Sequence, residues 1–425
     1  MRSLYLTFFK NITWIYLCVL CCFAYHTMLD AIPDHVYLEE GQELTLDQKL
    51  PVQLGISTED GQTVMAVGMS TFENIRERKT DSISAGFGIG EHMLTCYLLG
   101  ILPVKEVAVS VVPSQSLYAG GHVIGIYGAT QGVLVLGSNP VETLDGSYRE
   151  PAENIVFAGD YITAVNGQEI KEKEELISEI KEHGAFPMVL TLWRGNEQID
   201  VSVEAVETKD SYMLGLWVKD DMAGIGTLTY YDSHAGFGAL GHGIGDGETG
   251  DLLRLSRGSL YQADVIGIKK GKRGSPGELE GVVYYGKKNL LGSVSSNTDI
   301  GIYGTLAASY CETLKNTDNT CAVCYKQDVK EGEAEILSDV SGELRTYRIV
   351  IDSLDYTPND RNKGIRFHVV DEDLLSLTGG IVQGLSGSPI LQDGKLVGAV
   401  THVLVNDPEK GYGIFIENML NNDGE

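Results

Sequence analysis

Short runs in which apolar and polar residues alternate fill most of the chain, and glycine-rich turns separate them. Residues 107–112 (VAVSVV), 213–232 (MLGLWVKDDMAGIGTLTYYD), 347–354 (YRIVIDSL) and 365–371 (IRFHVVD) follow a two-residue period, which marks strands with one face buried. A helical period stands out in 171–184 (KEKEELISEIKEHG), where Leu176, Ile177 and Ile180 share a face and Gly184 supplies the stop. The expectation is a mainly β chain. Its last block, 210–425, has strands and turn signals spaced as in a sandwich or barrel.

One stretch breaks the alternation. Residues 11–29 (NITWIYLCVLCCFAYHTML) carry no charge at neutral pH, with Arg2 and Lys10 before them and Asp30 and Asp34 after. A run of roughly 18–19 residues can just span a bilayer. The basic side stays cytoplasmic by the positive-inside rule. The run is long for a signal-peptide core and no A-x-A site follows it, so the expectation is an uncleaved anchor over 1–29 rather than a cleaved leader. Residues 30–105 read as a juxtamembrane region ending in short strands.

Net charge is −27, from 32 basic and 59 acidic residues. That balance argues against a nucleic-acid partner, which requires clustered Lys and Arg. Of the seven cysteines, Cys18, Cys21 and Cys22 lie in the apolar run. Cys321 and Cys324 form a lone C-x-x-C without the second ligand pair of a zinc site, so no metal and no other cofactor is expected. A disulfide involving Cys311, Cys321 or Cys324 and free thiols both remain open.

Residues 158–170 (AGDYITAVNGQEI), the helix at 171–184 and a hairpin turning at Gly195-Asn196 resemble a PDZ domain of the bacterial protease type. The domain is expected over 106–207. PDZ domains add an extended peptide to a sheet edge and hold its terminal carboxylate on backbone amides. The matching loop is expected in 116–126 (SLYAGGHVIGI), with Tyr118, Gly120 and Gly121 lining it.

Residues 379–405 (GGIVQGLSGSPILQDGKLVGAVTHVLV) set Ser386 and Ser388 among glycines, closed by Pro389. A nucleophilic serine needs a tight exposed turn, converging N–H groups for an oxyanion and a base within reach. G-L-S-G-S-P resembles the G-D-S-G-G-P turn of chymotrypsin-like proteases. That resemblance makes Ser386 the nucleophile, with the N–H groups of Gly384 and Ser386 as oxyanion donors. Thr401 and His402, in the strand after the turn, would line the substrate cleft. The base is expected at His242, in the glycine-flanked turn of 236–247 (GFGALGHGIGDG), ahead of the serine. His402 and His234 are the other candidates. Asp371, 15 residues before Ser386, is the candidate acid. It comes later than the acid of chymotrypsin-like enzymes, and a helix N-cap is the competing role. Asp373 is its neighbour.

Together with GALGHGI, TGGIVQGLSGSPI and GAVTHVLVNDPEKGYGIFIENML, these features resemble the SpoIVB peptidases of endospore-forming Firmicutes. The resemblance implies a membrane anchor, a PDZ domain and then a chymotrypsin-like double β-barrel serine peptidase over 210–425, with His242, Asp371 and Ser386 as triad. It also implies a forespore-made endopeptidase acting in the space between the two forespore membranes. Such an enzyme cleaves itself and cuts a membrane-bound regulator of an intramembrane protease, which triggers processing of a sigma factor precursor. Two other readings stand beside it: an HtrA-like quality-control protease, in which the PDZ domain usually follows the protease, and a catalytically inactive PDZ scaffold.

Overall fold

A computed structural model describes residues 2–30, 32, 34–40, 52–57, 63–65, 89–98, 101–113, 115–247, 249–314 and 320–421. The chain divides into two units, 1–115 with 325–329, and 116–324 with 330–425.

The first unit opens with helix α1, Arg2–Asp30. The expected helix is therefore present, although among the described residues no helix is long and apolar enough to cross a membrane. A five-stranded sheet follows, in which His35–Glu39 runs parallel to Leu102–Val112, and Gly90–Leu98 pairs the other edge of that strand. Its alternating positions meet in a core of Ile32, Val36, Leu38, Leu94, Cys96, Val107, Val109 and Val111. Burial pushes the Cys96 thiol up to about 11. The strand at 107–112, which lies inside the expected PDZ bounds of 106–207, belongs to this sheet.

The second unit contains two six-stranded barrels. The first uses β1 (Val123–Ser138), β2 (Leu216–Tyr231), β3 (Gly236–Ala239), β4 (Leu255–Lys269), β5 (Leu290–Thr298) and β6 (Gly301–Leu306). Their order is β1-β2-β3-β6-β5-β4, closed by pairing of β4 with β1. The second uses β7 (Gly332–Ser338), β8 (Arg345–Leu354), β9 (Ile365–Val369), β10 (Pro389–Gln392), β11 (Lys395–Leu404) and β12 (Asp407–Phe415). It closes in the order β7-β8-β9-β12-β11-β10. The two barrels thus share one winding. In β8 the alternation seen in the sequence sends Tyr347, Ile349 and Ile351 inward, each about 1% exposed. They meet Ile365, Phe367, Ile390 and Leu396, all buried, from the neighbouring strands.

The PDZ-like module is not a separate domain ahead of the protease, as the expected boundaries 106–207 and 210–425 had it. It is inserted between β1 and β2 of the first barrel. Both strands are 16 residues long and serve two cores. In β1, Val123 to Ala129 pair with β2 in the barrel, while Leu134 to Ser138 pair with Leu216 to Lys219 in the module. Between these strands come Tyr161–Val165, helix α2 (Lys173–His183) and the hairpin Pro187–Arg194 with Glu197–Glu204. Leu176 and Ile180 of α2 pack with Val133, Val135, Ile162 and Leu190 in a core of their own, whereas Ile177 lies 57% exposed and off the expected face. Helix α2 starts with a reciprocal capping box between Glu172 and Glu175.

Candidate active site

The glycines around Ser386 have a specific cause. Gly384 and Gly387 have φ of 101° and 93°, a region that side chains with a Cβ rarely adopt. A Cβ on Gly387 would lie 2.1 Å from the Thr227 carbonyl oxygen and 2.5 Å from the Leu240 nitrogen. The turn between the short strand Val382–Gln383 and β10 is pressed directly onto the first barrel. Thr227 fastens it twice: its N–H donates to the Ser386 carbonyl at 3.0 Å, and its hydroxyl to the Gly384 carbonyl at 2.9 Å. The Gly387 N–H is taken by Val400 at 2.7 Å. The N–H groups of Gly384 and Ser386, the expected oxyanion donors, donate to no carbonyl among the described residues.

Burial separates the two serines. Ser388 is 0% exposed and its hydroxyl sits inside the second barrel, where no substrate carbonyl can reach it. Ser386 is half-buried. Its Oγ donates to the Thr401 carbonyl at 2.8 Å, so its hydroxyl proton is held by β11 in this arrangement.

His242 follows β3 and faces β11. Leu240 and Gly241 both take left-handed φ, 71° and 70°. For leucine this is a strained conformation, of the kind found at working sites. The bend carries the imidazole to 5.4 Å from the ring of His402, centre to centre. Nδ1 of His242 lies 2.8 Å from the Gly243 carbonyl oxygen. A carbonyl can only accept, so Nδ1 carries the proton and Nε2 keeps the lone pair that a general base needs. Burial holds the His242 pKa below the ordinary imidazole value, partly offset by that hydrogen bond. His402 is pushed down to about 4, by burial first and then by His242 and Lys363. The surroundings therefore favour the neutral form of both rings. His234, the other candidate base, sits in the exposed turn between β2 and β3.

Of the pair expected at the cleft, the Thr401 carbonyl accepts from Ser386 and the His402 ring faces His242. The Thr401 side chain is 2% exposed and donates to the Asn362 and Tyr412 carbonyls at 2.6 and 3.1 Å.

Among the described residues Asp371 makes its hydrogen bonds to helix α3 (Glu372–Thr378) and to Arg348. It is the N-cap of α3, 7% exposed. Its carboxylate accepts the N–H groups of Leu374 at 3.1 Å and Arg348 at 3.2 Å. In this arrangement the carboxylate serves the capping role. Asp373 pairs with Arg345 on the surface at 2.9 Å.

The expected PDZ ligand loop also lies elsewhere. Tyr118 is in a strand, Ser116–Ala119, that pairs with β2 of the first barrel. Gly120 and Gly121 donate their N–H groups to Thr229 and Leu228 at 2.9 and 2.8 Å, leaving none for a carboxylate. These glycines exist for close packing: a Cβ would lie 2.3 Å from the Leu228 oxygen at Gly120 and 2.8 Å from Leu337 at Gly121.

Four residues at the junction were not singled out in the sequence: Thr227, Asp299, Arg361 and Asn362. The Asp299 carbonyl accepts from the Gly243 N–H at 3.2 Å and from Asn362 Nδ2 at 2.9 Å, and its carboxylate faces Arg361 at 3.2 Å. The one local signal was an Asp just before an alternating strand, 299–303 (DIGIY), which identifies nothing until the pairing of that strand is known.

A serine hydroxyl bonded to Thr401 and an imidazole facing His402 both lie against β11 where two like-wound barrels meet, and the serine turn leaves two N–H groups without a backbone partner among the described residues. That set suits acyl transfer: attack by Oγ, proton uptake by Nε2, and oxyanion stabilisation by the turn. For the first step Ser386 must exchange Thr401 for His242 as its hydrogen-bond acceptor.

Residues 210–420 match the family model of the SpoIVB peptidase S55 family. Among solved structures, the chain is similar to the PDZ domain of the SdrC-like protein from Listeria monocytogenes, at 21% identity over 21% of this chain and 87% of that one, with a TM-score of 0.17. GtR34C from Geobacillus thermodenitrificans aligns at 24% identity over 20% and 95%, TM-score 0.17. The Rv3671c protease in its inactive form aligns at 14% identity over 47% and 85%, TM-score 0.26. No curated protein matches the chain. With its serine and histidine motifs inside the matched residues, the chain carries a serine peptidase domain of the SpoIVB family, S55.

Proposed function

We propose that this SpoIVB-type peptidase is a signalling endopeptidase of sporulation. It cleaves itself, then cuts a membrane-bound regulator of an intramembrane protease, and so triggers processing of a sigma factor precursor. It works in the space between the two forespore membranes and is attached to the forespore membrane through α1. The exposed Trp14, Ile15, Leu17, Val19, Leu20 and Phe23 of α1 support that attachment.

The observation that carries the reading is the Ser386 turn fastened against the His242 turn, within the residues that match the family. The insertion of the PDZ-like module between β1 and β2 supports a regulated rather than a degradative enzyme. Peptide bound to the module would load the same two strands that frame Thr227 and the serine turn. An HtrA-like protease with a PDZ domain after the barrels lacks that continuity.

The test is replacement of the chromosomal copy by Ser386→Ala in an endospore-forming host. Loss of self-fragments together with arrest of sigma factor precursor processing is expected. Normal processing with the Ser386→Ala protein would sink the signalling reading. Broad degradation of unfolded proteins by the purified wild type would favour the quality-control alternative.

A further inference from the structure

Only the first half of β4 belongs to the first barrel. Leu255 to Gln262 pair with β1, and Gly258 to Tyr261 also with β5. Ala263 to Val265 and Gly267 to Lys269 pair instead with the strand Gly277–Val283. The two strands form an arm that leaves the barrel and reaches the segment before Ser386. Its base is seated, since a Cβ on Gly281 would lie 2.2 Å from Ile225 of β2. Its tip is not, and Lys272, Arg273 and Gly274 are exposed there. A hairpin of two strands is marginal in water by itself, so its outer contacts decide where it rests.

Those contacts fall on both segments that meet at Ser386. Gly277 and Glu278 run parallel to Val382 and Gln383, the short strand that leads into the serine turn. One residue further along both strands, Leu279 is 4% exposed and lies against Gly384, where an added Cβ would be 2.9–3.0 Å from the leucine side chain. Near the tip the Gly271 N–H donates to the Thr378 carbonyl and the Gly274 N–H to the Val405 carbonyl, both at 2.8 Å, and Lys270 Nζ donates to the Ser376 carbonyl. Val405 directly follows β11, the strand whose Thr401 carbonyl holds the Ser386 hydroxyl. The arm thus bridges the approach to the serine turn and the far end of β11.

We infer that this arm is an internal strap that restrains the peptidase, and that an extended stretch of substrate displaces it. Leu279 covers a residue expected to supply an oxyanion donor, and the Ser386 hydroxyl is turned to Thr401. Both features belong to a site held at rest. The backbone edge of Val382–Gln383 that the arm now occupies is an edge on which an incoming chain can pair as a strand. Release is local: the arm swings about its base, and the pairing of β4 with β1 and β5 stays whole. The inference rests on Ser386 being the nucleophile of the proposed endopeptidase, and adds how that serine is kept from cutting before a substrate arrives.

The test is a cysteine pair, Glu278→Cys with Gln383→Cys, in the full-length chain. The two positions are register partners and both are exposed. Neighbouring strands lie about 4.8 Å apart, within the span of a disulfide. The rate of fluorophosphonate labelling at Ser386 is measured after oxidation and again after reduction, with wild type carried through the same steps. The oxidised pair is expected to label slower than the reduced pair by roughly tenfold or more, because the open arrangement is removed. Wild type should label alike in both conditions. Leu279→Ala, which loosens the strap, should label faster than wild type by roughly tenfold, the weight of the buried carbons it removes. Equal rates for the oxidised and reduced pair, with the cross-link verified by mass, overturn the inference, since a fixed wall is indifferent to a bond that keeps it in place. A pair that does not cross-link overturns the register on which the inference stands. So does a Leu279→Ala protein that melts like wild type and labels no faster; if it melts lower, the cysteine pair decides. Labelling at Ser386 that ignores the lock sinks the inference alone, whereas absence of label at Ser386 in every protein sinks the reading of the nucleophile with it.

Discussion

Asp371 offers the sharpest contrast between a catalytic and a structural carboxylate. Asp371→Asn keeps the shape and one acceptor oxygen, and asparagine caps helices as well as aspartate does. The oxygen that accepts from Leu374 can be retained, and the amide can still turn its oxygen to that bond. The Arg348 guanidinium lies 3.9 Å away and is mostly exposed, so losing the charge costs little. The amide nitrogen then faces the Arg348 N–H, which loses its acceptor, so the expected destabilisation is about 1–2 kcal/mol, with turnover near normal. Asp371→Ala removes both acceptors. Loss of the cap costs about 1 kcal/mol, and the stranded Arg348 amide a further cost of about 1–2 kcal/mol. A total of about 2–3 kcal/mol corresponds to a melting point lower by roughly 4–12 °C. Thermal unfolding and fluorophosphonate labelling on the same preparations read the two effects separately. A thousand-fold loss of labelling in Asp371→Asn would show that the carboxylate acts in catalysis as well as capping α3. It would return Asp371 to the site.

Ser388→Ala should keep most activity, since its hydroxyl is fully buried and away from substrate; a dead Ser388→Ala beside an active Ser386→Ala would reverse the nucleophile assignment. Gly387→Ala should abolish labelling, because φ of 93° and a 2.1 Å approach to the Thr227 oxygen leave no room for a Cβ; labelling within a few-fold of wild type would show that the turn is not pressed onto the first barrel as described. Stability should depend on pH through His402. Its folded pKa, about 4, lies below its unfolded value, so its contribution is complete above about pH 6.5 and is lost as pH falls toward 4. His242 acts in the same direction. Urea midpoints across that window should fall with acid in wild type and less so in His402→Gln; equal slopes in the two proteins would contradict a buried neutral ring.

What was legible in the sequence was local. The serine turn could be read because its backbone conformation demands glycine at Gly384 and Gly387, and the capping, helix and hairpin signals of 158–204 because each is decided within a few residues. The insertion was not legible. Local patterning marks strands, and says nothing of a partner some 80 to 100 residues away or of two cores sharing one strand, as in β1. Gly120 and Gly121 misled for a related reason: close approach of a barrel strand and close approach of a ligand require the same missing Cβ. Asp371 had its capping position on view all along, since it directly precedes an acidic first turn, Glu372 and Asp373.

The most direct test of the central claim, that His242 activates Ser386 at the barrel junction, is site mapping by mass spectrometry. Purified wild type, Ser386→Ala and His242→Ala chains are treated with a fluorophosphonate and digested. A single phosphonylated residue, Ser386, in wild type, with no labelled peptide from either variant, is the predicted result. Phosphonylation at another serine, or undiminished labelling of Ser386 in His242→Ala, would contradict it.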